Sequence, residues 1–297
     1  MNKDILVSIV IASFNAEKYI LDLLESAKEQ THPRLELILA DDCSKDNTKQ
    51  LVTDWIEQNG KRFERVVTIF SETNQGTSKN LNGGLRECTG EYIKIIDGDD
   101  ILYPFAVEVL LDTCIKENYE ILIGDVYWVQ DDGETYAEHH DNETHMREFY
   151  AMSAEEQYKD LLVANSAVIS VGEFFKRSFM ERFKGFDERY DLLEDYPFWL
   201  KVTKAGVKIP FLETKVAKYR QSTTSVKNPE VNTNIYNIRI SKGSKRLFYD
   251  WRFKGLLKEK KYGVVWKNIR KYLVRDIVIA LGNSDSNKLC RILTRFE

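Results

Sequence analysis

Between Val7 and Val129, short apolar runs of strand length alternate with longer stretches whose apolar residues recur at helical spacing. Residues 7–12, 35–40, 66–70, the run ending at Ile96, and 120–129 read as strands. Residues 16–30 read as a helix, with Tyr19, Ile20, Leu23, Leu24 and Ala27 at helical intervals. A second helix carries Leu51, Val52, Trp55 and Ile56, a third covers 78–88, and a fourth covers 105–117 behind Pro104. Such alternation builds an α/β fold with a mostly parallel sheet and helices on both faces. Ligands of such sheets sit at the carboxyl ends of the strands. The loops there are 13–17, 41–47, 71–79 and 97–103, and all four are polar.

The fourth loop is the most constrained. The run Tyr92-Ile93-Lys94-Ile95-Ile96 passes directly into Asp97-Gly98-Asp99-Asp100. Two carboxylates about 5 Å apart repel by roughly 3 kcal/mol at an effective dielectric near 20. A hard divalent cation would remove that penalty and leave coordination sites for phosphate. A solvated acidic turn, with Asp100 capping the next helix, would relieve it too. Asp41-Asp42 poses a similar choice: its carboxylates accept from a nucleobase or ribose, or from their own turn. In the third loop, Gly76 permits close backbone approach and Lys79 near a helix start can meet phosphate. That loop matches neither the Walker pattern nor the dinucleotide fingerprint. Glu194-Asp195 lies inside the apolar and aromatic stretch Leu192 to Trp199, where partial burial raises carboxylate basicity. The pair also suits the cap of a helix beginning at Pro197.

Whole-chain properties narrow the class. The 297 residues are 43% hydrophobic and 30% charged, as in an ordinary globular protein. No run approaches the 18 or more apolar residues of a membrane span. Met1-Asn2-Lys3-Asp4 leads straight into a strand without signal-peptide features, so a cytoplasmic location is expected. Cys43, Cys88, Cys114 and Cys290 show no C-x-x-C spacing, which argues against zinc and fits a reducing compartment. Net charge is −4, yet residues 240–297 carry +10 and the remainder −14. The basic tail therefore reads as a separate helical module with an anionic partner. Val265, Ile269, Leu273, Ile277 and Leu281 repeat every four residues there, while Lys267, Arg270, Lys271 and Arg275 lie elsewhere on the helix. That helix either rests peripherally on the inner face of an anionic membrane or packs on the domain with a solvated basic face. Nucleic acid is not expected as a partner, because the body is acidic and lacks a basic-aromatic motif.

The set as a whole resembles glycosyltransferase family 2, nucleotide-sugar-dependent enzymes of the GT-A fold. Val7 to Asn15 resembles the family's opening strand and nucleotide loop. Leu39 to Thr48, with Asp41-Asp42-Cys43-Ser44, resembles its base-binding turn. Gly90 to Asp100 resembles its Asp-x-Asp segment, and Glu194-Asp195 its acidic pair. The resemblance covers about the first 200 residues. It implies a GT-A domain over 1–225, with a nucleotide half (1–130) and an acceptor half (131–225), followed by a basic helical region (226–297).

By position, the resemblance implies that Asp42 meets the nucleobase, with Ala12, Ser13, Asn15 and Glu17 lining the same pocket. Asp97 corresponds to the acid near the ribose, and Gly98 lets the backbone pass close to the diphosphate. Asp99 corresponds to the ligand of Mn2+ or Mg2+, and Asp195 to the general base. Glu194 and Trp199 would orient the base or the acceptor. The chain departs from the family pattern at three places. Ala12 stands where Pro is common. Leu81-Asn82 stands where Arg-Asn is common, which leaves Lys79 and Asn82 for the phosphate side. Gln221 stands where His often follows Tyr-Arg. The implied activity is inverting transfer of a hexosyl or N-acetylhexosaminyl group, with UDP-sugar as the expected donor. The expected acceptor is a hydroxyl of a glycan or lipid-linked acceptor in cell-surface polysaccharide synthesis. Residues 130–150 and 165–190 are expected to shape acceptor choice. The competing readings are a nucleotidyltransferase and a non-catalytic family member that binds glycan or a partner.

Overall fold

The computed structural model describes residues 2–137, 143–164, 168–190, 192–221 and 234–297. Its elements in chain order begin with β1 (Val7–Ser13), α1 (Ile20–Lys28), β2 (Leu35–Asp41), α2 (Thr48–Asn59), β3 (Arg65–Phe70), α3 (Thr77–Glu87) and β4 (Tyr92–Asp97). They continue with β5 (Ile101–Leu102), α4 (Ala106–Glu117), β6 (Ile121–Val129), α5 (Glu143–Ala151), α6 (Ala154–Val163), β7 (Glu173–Lys176) and α7 (Arg177–Arg182). Last come α8 (Asp195–Lys204), β8 (Phe211–Arg220), α9 (Ile238–Leu247), α10 (Phe253–Lys258), α11 (Tyr262–Ala280) and α12 (Lys288–Thr294). The expected boundary at 225/226 lies outside the described residues, as do 138–142 and 165–167 of the acceptor-side segments.

Eight strands form one mixed sheet in the order β3-β2-β1-β4-β7-β6-β8-β5. β1 to β4 pair in parallel, as strand–helix alternation demands. β7 then enters antiparallel between β4 and β6, with Ile93 opposite Phe175. Side-chain alternation divides the core into two layers. Val7, Ile9 and Ile11 face one side with Leu35, Leu37 and Leu39, under α1, α2 and α4. Val10, Ala12 and Ile38 face the other, where α3, α6 and α8 pack. Helices thus cover both faces.

Two expectations change here. Phe174, Phe175 and Phe179 are fully buried, so this part of 165–190 builds core rather than an acceptor surface. The tail is not a separate module either. Leu247, Phe248, Leu256, Val265 and Tyr272 share one core with Leu161, Phe198 and Trp199. Arg252, almost fully buried, donates to the Leu162 carbonyl at the end of α6 at 2.7 Å. Charge asymmetry marks a surface property of these helices, and the apolar residues decide where they pack.

Candidate active site

The loops at the carboxyl ends of β1, β2 and β4 are laced to one another. Ser13 Oγ donates to Asp41 Oδ2 at 2.8 Å, and the Ser44 amide donates to Asp41 Oδ1 at 2.8 Å. Asn15, in the left-handed region at φ 50, donates its amide to Ser44 Oγ and accepts from the Lys45 amide, both at 2.8 Å. Asn and Asp tolerate that backbone better than other residues with side chains. Glu17 Oε2 accepts from the Asn47 amide at 2.9 Å. Asn15 and Glu17 therefore hold the first two loops in register, with exposed edges open to a ligand.

Asp42 binds the third loop. Its two oxygens accept from the amides of Gln75 at 2.7 Å and Gly76 at 2.8 Å, and the residue is only 4% exposed. This corrects the expectation that it faces a nucleobase: the carboxylate is committed to backbone and acts by placing the loop. Gly76, at φ 91, occupies the N-cap position of α3, a conformation that glycine adopts without steric cost. Lys79 stands exposed in the first turn of that helix. Asn82 faces the other way. Its Nδ2 donates to the Phe186 carbonyl and its Oδ1 accepts from the Phe186 amide, each at 2.9 Å. Asn82 is thus a buried clamp between α3 and the chain before α8, not a phosphate ligand.

Asp97 and Asp99 are partly exposed at the end of β4, and Asp100 is fully buried. Gly98 donates its amide to the Ala12 carbonyl at 2.8 Å, and a Cβ on it would sit 3.3 Å from that oxygen and from Ser13. Its missing side chain lets the acidic loop rest on β1, so the close approach is to Ala12 and Ser13. Ala12 and Ser13 are themselves almost fully buried and form the floor. Asp100 does not cap a helix; β5 follows it and α4 begins at Ala106. Its Oδ1 accepts from the Arg220 amide at 2.9 Å, while Oδ2 is buried without a hydrogen bond. Burial first, then the charges of Asp99 and Asp97, push its carboxyl well above the usual range.

Arg220, at the end of β8, is a brace that sequence reading missed. Its Nε donates to the Asp99 carbonyl at 2.7 Å, Nη1 to the Asp131 carbonyl at 2.6 Å, and Nη2 to Asp22 Oδ2 at 2.9 Å. The only sequence signal was Tyr219-Arg220-Gln221, noted for the absence of His. Lys94 was missed as well. It is fully buried and donates to the carbonyls of Ile95 and Val171, both at 2.6 Å. Burial brings its pKa down to about 8, against the opposing pull of Glu173, Asp100 and Asp97. Two cations, Arg220 on the Asp99 carbonyl and Lys94 near Asp100 and Asp97, thus offset the crowding of the acids.

Glu194 and Asp195 open α8 at its N-terminus, where the helix dipole favours negative charge. Glu194 shares a narrow recess with Asp97, Leu81, Phe186 and the buried Glu173. Glu173 has one oxygen without a hydrogen bond, and burial, then the charge of Asp195, raises its carboxyl well above the usual range. Tyr219 is half-buried, and its hydroxyl too is pushed up, chiefly by burial and then by the charges of Asp100, Asp97, Asp99 and Asp195. The fold therefore brings Glu194, from the acidic pair, and Asp97, from the loop, together beside the buried Glu173. Trp199 is excluded from this gathering, which corrects its expected orienting role. It lies one turn deeper along α8, is fully buried, and stacks on Phe175 at 6.2 Å.

The donor set suits a hard divalent cation. Among the described residues no three carboxylate, imidazole or thiolate groups converge into a closed cage. Asp97 and Asp99 offer carboxylate oxygens of the kind a magnesium-like ion uses, since such an ion keeps few protein ligands and takes the rest from phosphate.

A sequence model of the family Glycosyl transferase family 2 matches residues 8–184, more than half of the chain. The chain belongs to glycosyl transferase family 2. The stretch it shares with the glycosyltransferase GlyG of Streptococcus pneumoniae is 31% identical over 132 residues, 44% of this chain and 42% of GlyG. Chondroitin synthase of Escherichia coli is 38% identical over 112 residues, 38% of this chain and 16% of that protein. The chain thus spans less than half the length of either relative. Its fold resembles that of Staphylococcus aureus TarS 1–349, solved in complex with UDP-GlcNAc. The TM-score is 0.59 at 17% identity, covering 90% of this chain and 80% of that one. It also resembles the mannosyltransferase PcManGT of Pyrobaculum calidifontis, solved with GDP-Man and Mn2+. There the TM-score is 0.57 at 17% identity, covering 85% of this chain and 64% of that one. These likenesses establish the GT-A fold for this family 2 member.

Proposed function

We propose that the protein is an inverting glycosyltransferase that moves a sugar from a nucleoside-diphosphate sugar to a hydroxyl of a glycan or lipid-linked acceptor in surface polysaccharide synthesis. One observation carries this reading. Asp97 at the end of β4 and Glu194 at the start of α8 line one recess with the buried Glu173, which sets the acidic pair beside the Asp97–Asp99 loop. UDP is the nucleotide favoured for the donor, by likeness of fold to TarS in its UDP-GlcNAc complex.

Asp195 takes the proton from the acceptor hydroxyl as its oxygen attacks the anomeric carbon. The bond from that carbon to the diphosphate oxygen breaks on the opposite face, and the nucleoside diphosphate leaves with the electron pair. One displacement inverts the anomeric configuration. Asp99, with Asp97 beside it, would hold Mn2+ or Mg2+, whose charge stabilises the departing diphosphate. Ala12 and Ser13 floor the nucleotide pocket, Asn15 and Glu17 shape its edge, and Asp42 sets the third loop so that Lys79 meets phosphate.

A thermal-shift screen of nucleotide sugars with Mn2+ tests the donor class. A donor at about 100 times its Kd stabilises by about 2.7 kcal/mol, which for a chain of this size raises Tm by roughly 5 °C. No shift with any nucleotide sugar defeats the reading. In calorimetry, Asp99→Ala removes the gain in donor affinity that Mn2+ confers on the parent protein; an unchanged gain refutes the metal role. Release of nucleoside diphosphate on turnover separates sugar transfer from nucleotidyl transfer, which releases pyrophosphate.

A further inference from the structure

The expected stripe on the long basic helix is not one face. Residues four apart advance about 40° around an α-helix, so a run of five sweeps through nearly half a turn. The structure divides the run accordingly. Val265 is buried and Ile269 packs against the core, whereas Leu273, Ile277 and Leu281 are exposed. The exposed side is completed by Tyr262 and Trp266, which are 61% and 67% accessible. Tyr262, Trp266, Leu273 and Ile277 fall at intervals of four, seven and four, which places them along one side of α11. α12, packed against α11, adds Leu289, Ile292 and Phe296 at intervals of three and four, all exposed.

Isolated apolar residues on a surface need no explanation, but a stripe of large ones over two adjoining helices does. Its surroundings select the partner. Between Phe253 and Glu297, nine lysines and arginines are exposed against two aspartates, and one of those, Asp276, is paired with Lys245. A second copy would bring the same basic border against itself across a two-fold contact. A nucleic acid matches the charge but offers nothing to Leu273 or Ile277. Anionic lipid satisfies both features: acyl chains take the aliphatic residues, headgroups take the cations, and Trp and Tyr favour the interface between them. Among the described residues no helix is long and apolar enough to cross a membrane, so contact through this face would lie in the surface plane.

We propose that the exposed face of α11 and α12 docks the protein on an anionic lipid surface. The docking stands on this face alone. Its use, bringing the site to a lipid-linked acceptor, rests on the transferase reading, and vesicle binding reports the first without turnover.

The test is flotation of the full chain with vesicles of phosphatidylcholine alone and of phosphatidylcholine with roughly a third phosphatidylglycerol. The protein is expected to float with the anionic vesicles and not with the neutral ones, and to detach as salt rises. Trp266→Ser combined with Leu273→Ser lowers binding about tenfold or more while Tm stays unchanged, since both side chains are exposed. Should that variant misfold, Lys267→Glu with Arg270→Glu, two exposed charges, supplies the same readout with a loss of about tenfold or more. Failure to float with anionic vesicles overturns the proposal, as does equal flotation of a folded variant. Light scattering that finds a dimer in the parent and a monomer in the stripe variant, without flotation, assigns the face to a second copy instead.

Discussion

Asp195→Asn is expected to reduce sugar transfer by roughly three to four orders of magnitude while donor affinity stays within about twofold. The substitution keeps the shape and the acceptor oxygen that receives the Tyr196 amide at 2.6 Å, so α8 keeps its first turn. What it removes is proton affinity. With no base to take the hydroxyl proton, the attacking oxygen would have to bear positive charge as the new bond forms. Donor binding depends on other loops and should persist. Single-turnover rates with labelled donor, beside calorimetry of the nucleoside diphosphate, give both quantities. An Asn variant with near-parental turnover sinks the assignment of Asp195, and loss of donor binding in proportion to the rate would move Asp195 into the donor pocket. Glu194→Gln distinguishes the neighbours. Glu194 occupies the N-cap without a side-chain cap bond and lines the recess with Asp97, so its effect should be smaller than that of Asp195.

The second large effect is structural. Arg220→Met should lower stability by about 3–4 kcal/mol and Tm by on the order of 5–10 °C. The guanidinium is 2% exposed and spans three segments, donating to the Asp99 and Asp131 carbonyls and to Asp22. Methionine fills much of the volume yet leaves the two carbonyls without those donors. It also removes a positive charge beside Asp97, Asp99 and Asp100. Mn2+-dependent donor binding should weaken together with stability, because the Asp99 backbone loses its brace. Arg220→Lys keeps the charge but not the fork, and should fall between the two. Denaturant melts of the three proteins decide the matter. A methionine variant as stable as the parent would show that the brace carries no net energy.

How far the site can be read from the chain depends on the range of the interactions. The parallel half was legible because its signals are local: alternation along β1, β2 and β4, helical spacing in α1 and α2, and polar loops between them. The acidic clusters at 41–42, 97–100 and 194–195 were legible because carboxylates crowded at a strand end, or set among aromatic residues, are costly without a purpose. β7 was not, since four residues carry little pattern and an antiparallel insertion depends on which strands lack a neighbour. Lys94 looked like one polar residue in an apolar strand, and its role appears only when Val171 and Glu173 come to lie beside it. Asn82 and Trp199 were misassigned because residue type suggests chemistry while helix direction decides burial. Asn82 faces Phe186, and Trp199 sits one turn below the site in the core.

The amino-acid sequence by itself determined the kind of sheet, the loops that gather at its edge, the aspartates in those loops and the basic character of the last helices. Each follows from interactions within a few residues. Only the tertiary structure decided which acids are buried and which stay partly exposed. It spends Asp42 on two amides, buries Asp100 under Arg220, and turns Val265 inward while leaving Trp266 outside. The physical reason is that burial and hydrogen bonding are set by partners far along the chain. Arg220 lies 121 positions from the Asp99 carbonyl it holds, a separation across which no local pattern reaches.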